Sequence, residues 1–143
     1  MKTHFKTFSI VLIVLTLGIT SCSKDDGPPP PTTAELLAHK WFVVKVEELT
    51  TAPPTVYVAD ACGQNSYFDF QPNGNFKLKF FGLDMGNCEV DFEATANYVL
   101  SDDETEIIFS DGMSTVTWPI ETLTETELVL IAQDGNIKYF SER

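Results

Sequence analysis

The stretch CEVDFEATANYVL, residues 88–100, decides the fold. Cys88, Val90, Phe92, Ala94, Ala96, Tyr98 and Leu100 fall on one face of an extended chain; Glu89, Asp91, Glu93, Thr95 and Asn97 fall on the other. Alternation with a period of two is the pattern of a strand with one face on a core and the other in water. The small Ala94 and Ala96 in its middle mark a place where the sheet curves or a cavity opens.

The same reading extends in both directions. Upstream, residues 76–81 put Phe76, Leu78 and Phe80 inward and Lys77 and Lys79 outward, where they are expected to pair with outer acids such as Asp69 or those between Glu89 and Glu93. Asn73-Gly74 makes a turn, because Asn-Gly supplies positive φ at low cost. Residues 83–87 turn again. Residues 66–70 and 41–48 read as strands, and 56–58 as a short edge piece after the Pro53-Pro54 break. Downstream, strands are expected over 106–110, 114–121, 127–132 and 137–141, with Pro119 marking an edge or a bulge. A single helical turn, capped by Thr32 or Thr33, precedes the first strand. No helical segment is long enough for a βαβ crossover. The fold class is therefore all-β: about eight antiparallel up-and-down strands. Closing them into a barrel removes the exposed edges, while a two-sheet sandwich would read nearly the same.

The chain has 143 residues, one domain's worth, with 9 basic and 21 acidic residues and a net charge of −12. Hydrophobic residues make up 43%, with 11 Phe, which excludes a disordered acidic chain. Lys2 and Lys6 precede an apolar run, FSIVLIVLTLGI, over residues 8–19. The run is too short to cross a bilayer core of about 30 Å, which needs about 20 helical residues. Residues 1–21 read as an export signal peptide, leaving 122 residues. Two of the nine basic residues go with it, so seven remain against 21 acids, a net charge of −14. A chain this acidic is repelled by nucleic acid, and no nucleic-acid partner is expected.

Ile19-Thr20-Ser21-Cys22 resembles the lipobox of bacterial lipoproteins. The resemblance implies a diacylglyceryl group on Cys22, cleavage before it and N-acylation after. Lys24-Asp25-Asp26 resembles the export signal that, in one group of Gram-negative bacteria, sends lipoproteins to the outer face of the outer membrane. It implies a lipid-anchored protein at the cell surface; the alternative is a solvated tether on a periplasm-facing anchor. Residues 22–32 form the tether, stiffened by the tetraproline 28–31 at about 3.1 Å per residue, and 33–143 form the folded domain.

Acylation of Cys22 uses the odd thiol of three, and Cys62 and Cys88 are expected to pair as a disulfide in an oxidising compartment. In a meander the two are separated by about 9–10 Å, two strand spacings. A disulfide needs Cα atoms within about 4.4–6.8 Å. The loop 60–65 must therefore fold inward, a bend that Gly63 eases. Such a clamp at one end makes the opposite end the expected mouth.

From Leu36 to Tyr139 the order of features resembles a lipocalin-like domain of bacterial lipoproteins. Leu36-Leu37 in a short helical turn is followed by Trp41, Cys62, Phe68-Asp69-Phe70, Asn73-Gly74-Asn75-Phe76, Cys88, Ile120-Glu121-Thr122-Leu123-Thr124 and Glu127-Leu128-Val129-Leu130. True lipocalins open with Gly-x-Trp, the tryptophan packing across the closed end of the barrel. Here His39-Lys40-Trp41 lacks the glycine, and the match is to the looser bacterial relatives.

Chemistry finds little support. A zinc site wants four ligands, but His39 is the sole histidine after the signal and no C-x-x-C occurs. Asp102-Asp103-Glu104 and Glu106 lack calcium-loop spacing. No serine sits in a Gly-x-Ser-x-Gly elbow, and Glu89, Asp91 and Glu93 belong to an outer face. No enzyme activity, metal or cofactor is expected. Trp41, Phe68, Phe70, Phe76, Phe80, Phe92, Tyr98 and Trp118 are expected to point inward, with Phe92, Tyr98 and Trp118 as the candidate pocket at the barrel mouth. The function expected is binding of a small apolar or mixed ligand by a monomer. The rival is an interaction or adhesion module with a fully packed core. An enclosed void of about 300 Å³ or more favours the ligand.

Lipidation is directly testable. The protein is expected to incorporate radiolabelled palmitate and to fractionate with membranes, and Cys22→Ala is expected to lose both. A labelled, membrane-bound C22A protein would remove the lipobox assignment.

Overall fold

The structure, a computed structural model, describes residues 27–132 and 134–143; the signal peptide, Cys22 and Lys24-Asp25-Asp26 lie outside them. Helix α1, Thr33–Leu37, begins where Thr32 caps it. The Glu35 amide donates to Thr32 Oγ1 (3.2 Å) and the Glu35 carboxylate accepts from the Thr32 amide (2.8 Å), a reciprocal pair that satisfies two otherwise orphaned donors. Nine strands follow: β1 Lys40–Glu48, β2 Thr55–Val58, β3 Tyr67–Phe70, β4 Asn75–Asp84, β5 Asn87–Leu100, β6 Glu106–Ser110, β7 Thr115–Leu123, β8 Glu127–Ile131 and β9 Ile137–Glu142.

All neighbours are antiparallel, and β9 returns to pair with β1 from Phe42↔Glu142 to Glu48↔Ile137. That last pairing makes a closed barrel rather than a sandwich. Eight strands form the ring. β2 is an extra strand: β3 occupies the first part of β1, at Lys40–Phe42, and β2 pairs on with Lys45–Glu48. The expected edge piece is thus β2. The bulge expected at Pro119 falls between Ile120 and Thr122. The expected five-residue turn at 83–87 is smaller, because β4 continues to Asp84 and only Met85-Gly86 turn, both with positive φ as a two-residue hairpin requires.

One end of the ring is plugged. Leu37 and Trp41 are wholly buried there, and Trp41 Nε1–H donates to the Leu37 carbonyl at 3.0 Å, so the indole has its polar atom satisfied. The Arg143 guanidinium lies 5.4 Å from the Trp41 ring centroid. Further along, Val43, Phe68, Phe70, Phe76, Leu78, Ile107, Phe109, Leu128 and Leu130 complete the buried core.

The strand that decides the fold contains a correction. Its alternation holds from Glu93 to Leu100, with Ala94, Ala96, Tyr98 and Leu100 turned to the core side. Towards its start the ladder shifts: Phe80 pairs with Phe92, but Phe81 pairs with Val90. Neighbouring residues of a strand face opposite ways and paired residues face the same way. Beyond this bulge Val90 and Cys88 therefore change sides relative to Ala94, and Glu89 joins the face of Gly82 instead of the outer face of Glu93. The expected single face from Cys88 to Leu100 is two half-faces joined at Asp91.

The change of side brings Cys88 to Cys62. Their sulfurs are bonded and their Cα atoms are 5.4 Å apart. The loop before β3 folds inward as required: Asp60 Oδ1 accepts from the amides of Cys62 (3.0 Å) and Gly63 (2.7 Å). Gly63 matters for space, since a Cβ there would come within 3.3 Å of that same oxygen. On the outer face, Lys77 and Lys79 clasp Glu93 from both sides, at 2.5 and 3.0 Å.

Two outcomes follow from these contacts. A disulfide at a sequence separation of 26 stabilises by roughly 3–4 kcal/mol through the unfolded chain; Cys62→Ser with Cys88→Ser is expected to lower the unfolding free energy by that amount in urea titration, with a cooperative transition retained. The lysine hydrogen bonds, first that of Lys77, hold the Glu93 carboxyl below its ordinary range. This stabilisation is present above the ordinary carboxylate value and is lost as pH falls through the lowered one. Carboxyl-resolved NMR is expected to show the Glu93 midpoint below that of an ordinary glutamate, moving up in the Lys77→Ala, Lys79→Ala variant.

Candidate functional site

The site grows out of a mismatch in strand length. β5 runs from Asn87 to Leu100, but β6 pairs with it only from Asn97↔Ser110 to Leu100↔Ile107. Above Ser110 the wall between β5 and the β6–β7 hairpin is missing. The opening is a cleft of about 210 Å³ lined by Phe76, Leu78, Ala94, Ala96, Val116 and Trp118, with Ser110, Asp111 and Ser114 at its rim. The two alanines expected to mark a curve or an opening stand at its edge, where larger side chains would close it.

Inside, the opening meets aromatic rings rather than a void. Trp118 stacks on Tyr139 (centroids 5.7 Å, 13° between planes), and Tyr139 stacks on Phe80 (5.7 Å, 25°). Phe68 meets all three edge-on at 5.4–6.0 Å, the favourable arrangement for a positive ring edge against a negative face. The three-ring row crosses the end of the barrel away from α1. On its far side is a groove of about 320 Å³ between β1–β2 and β4, lined by Val43, Val46, Tyr57, Val58, Phe80 and Tyr139. Both openings are accessible to solvent.

The predicted pocket residues are only partly brought together. Trp118 forms a wall of the cleft. Tyr98 is inward but lower, edge-on to Phe70 at 5.1 Å, with its hydroxyl donating to the Gln71 carbonyl at 3.0 Å; burial pushes its phenol above the usual range. Phe92 is not a lining residue. It pairs with Phe80, but no strand faces it where β6 has ended, and it is 54% exposed. The expected mouth also moves. Cys62 precedes β3 and Cys88 begins β5, so the disulfide lies at the same end as the ring stack, while the opposite end is plugged by Leu37 and Trp41. Tyr139 is a member of the site that the sequence reading left out. The signal was the alternation Ile137, Tyr139, Ser141, with Ser141 buried.

The polar groups near the cleft are committed to the backbone. Asp111 accepts from the Ser114 amide (2.8 Å) and the Met113 amide (2.9 Å), which holds the β6–β7 turn and keeps its carboxyl low, the Ser114 bond contributing most. Asp103 holds the loop before β6, accepting from Ser101 Oγ at 2.7 Å and from the Thr105 amide at 3.3 Å. His39 lies edge-on to Trp41 at 6.4 Å, at the plugged end. Among the described residues no group of three His, Cys, Asp or Glu is placed to hold a metal ion, and no helix is long and apolar enough to cross a membrane.

No curated protein matches this sequence. Among solved structures it is similar to a lipocalin-like protein from Bacteroides uniformis ATCC 8492, with a TM-score of 0.52 and 20% identity over 76% of this chain and 98% of that one. That likeness is one of fold. Residues 37–130, well over half the chain, match the family of the lipocalin-like domain. The matched span runs from the Leu37 that plugs the barrel to the Leu130 buried in β8, and with the closed eight-stranded ring it establishes that the chain belongs to the lipocalin-like domain family.

Proposed function

We propose that this protein is a non-enzymatic binding protein, anchored in the outer membrane through lipidated Cys22 and displayed at the cell surface, that holds a small apolar or mixed ligand against the Trp118–Tyr139–Phe80 stack. The observation that carries the reading is the opening beside Ala94 and Ala96, which exposes Trp118, one end of the half-buried aromatic row, to solvent. At about 210 Å³ the cleft is smaller than the 300–1,000 Å³ usual for drug-sized ligands, so it suits one ring or a short chain with the remainder in water. The lipid anchor and the surface location rest on the lipobox and on Lys24-Asp25-Asp26. A rival reading, a protein-interaction module, has its own support in the filled interior beneath the stack.

Trp118 reports on the cleft and Trp41, wholly buried at the other end, serves as an internal reference. Titration with fatty acids, haem-like molecules and oligosaccharides is expected to change the Trp118 emission for one class. Ala94→Leu with Ala96→Leu fills the cleft and is expected to weaken that response by about tenfold or more, equivalent to about 1.4 kcal/mol. No response from any class would favour the interaction module.

A further inference from the structure

The β4–β5 hairpin outruns its neighbours and carries an unused strand edge. Among the described residues, 87–96 of β5 have no strand partner on the β6 side, because pairing there begins at Asn97. The Tyr98 amide donates to the Gly74 carbonyl, towards β4. By alternation, Glu93 and Thr95 direct their amides and carbonyls away from β4, to the unpaired side. An open edge of this kind is a template for an added strand.

Its side chains describe the partner. Val90 is 47% exposed and Phe92 54%, and Leu83 and Met85 at the tip are more exposed still. Interleaved with them are Asp84, Glu89 and Asp91, none of which forms an ion pair with a described residue. Glu93 is already taken by Lys77 and Lys79. The edge thus offers hydrogen bonds, apolar contact and uncompensated negative charge together. A second copy of this chain, at a net charge of −12, would set like charges opposite one another. The geometry points to β5 residues 87–96 as a docking edge for an extended segment of another protein in which lysine or arginine alternates with apolar residues, added as an antiparallel or parallel strand. The inference rests on the backbone of β5 and the hairpin acids rather than on a bound ligand. The edge and the cleft share residues 94–96, and Val116 and Trp118 belong to the cleft alone.

The test uses full-length protein in neutral detergent and the probe peptide Lys-Val-Lys-Val-Lys-Val-Lys-Val. Hydrogen exchange is expected to slow at the amides of Glu93 and Thr95 when the peptide is added. Glu89→Gln with Asp91→Asn is expected to weaken binding at least fivefold, and a Glu-Val repeat is expected not to bind. Two further peptides leave the protein untouched: one N-methylated at every lysine, one at every valine. An added strand uses one edge of the peptide, so one of these is expected to lose binding and the other to keep it. Loss with both or retention with both, binding without protection at Glu93 and Thr95, or protection that arises only from pairing of two copies of this chain overturns the proposal. Binding that survives Val116→Phe, which fills the cleft from β7 and leaves β5 untouched, while the Trp118 response is lost separates this edge from the cleft.

Discussion

Phe68 is the contact on which the rest of the barrel depends. It lies wholly buried on the short strand β3, and rings from three other strands, Phe80, Trp118 and Tyr139, stand perpendicular to it at 5.4–6.0 Å. Each such pair adds about 0.5–1.5 kcal/mol beyond the area it buries. More important is what the arrangement excludes. A barrel of eight strands has an interior just wide enough to be filled by side chains or to hold one small ligand. Here the rings take that space, and the two openings lie to either side of the row.

Strand length then decides where the row is open. β5 spans Asn87–Leu100 and β6 only Glu106–Ser110, so a wall of alternating hydrogen bonds simply stops beside Ala94. One mismatch produces two features: an apolar cleft on the inner side and an unpaired backbone edge along the strand. Closed barrels ordinarily remove edges. This one leaves part of β5 unpaired, guarded by acids and by the bulge at Phe80–Phe81, devices that discourage indiscriminate pairing.

Much of this was legible in the residues. The alternation from Glu93 to Leu100, the Asn-Gly turn, the pairing of lysines with Glu93 and the union of Cys62 with Cys88 all arise from local pattern or from counting. The bulge at Asp91 was not legible. Nothing in the run Cys88-Glu89-Val90-Asp91-Phe92 breaks period two, and the shift exists only in the pairing with β4. That one unseen residue accounts for the misplaced faces of Cys88 and Val90. Phe92 was misjudged for a different reason: its burial depends on where β6 ends, a property of another strand. Tyr139 becomes legible only when the strand over 137–141 is given faces: charged Lys138 and Glu142 mark the outer side, which Phe140 shares, and Tyr139 falls on the other. The mouth lies at the other end from the one expected, because a cysteine pair clamps a rim without closing it, while the plug is a tryptophan bonded to the turn of helix before it.

The plug has a geometrical corollary. The spacer of prolines leads directly into α1, and β9 finishes beside β1 with Arg143 over Trp41, so the folded body is entered and left at the same end. Whatever holds the chain by its first residues holds it by the stoppered base. The rim with the ring row and the hairpin lies at the opposite end of the barrel from the prolines. The proline spacer and Arg143 both sit away from it and leave it unobstructed.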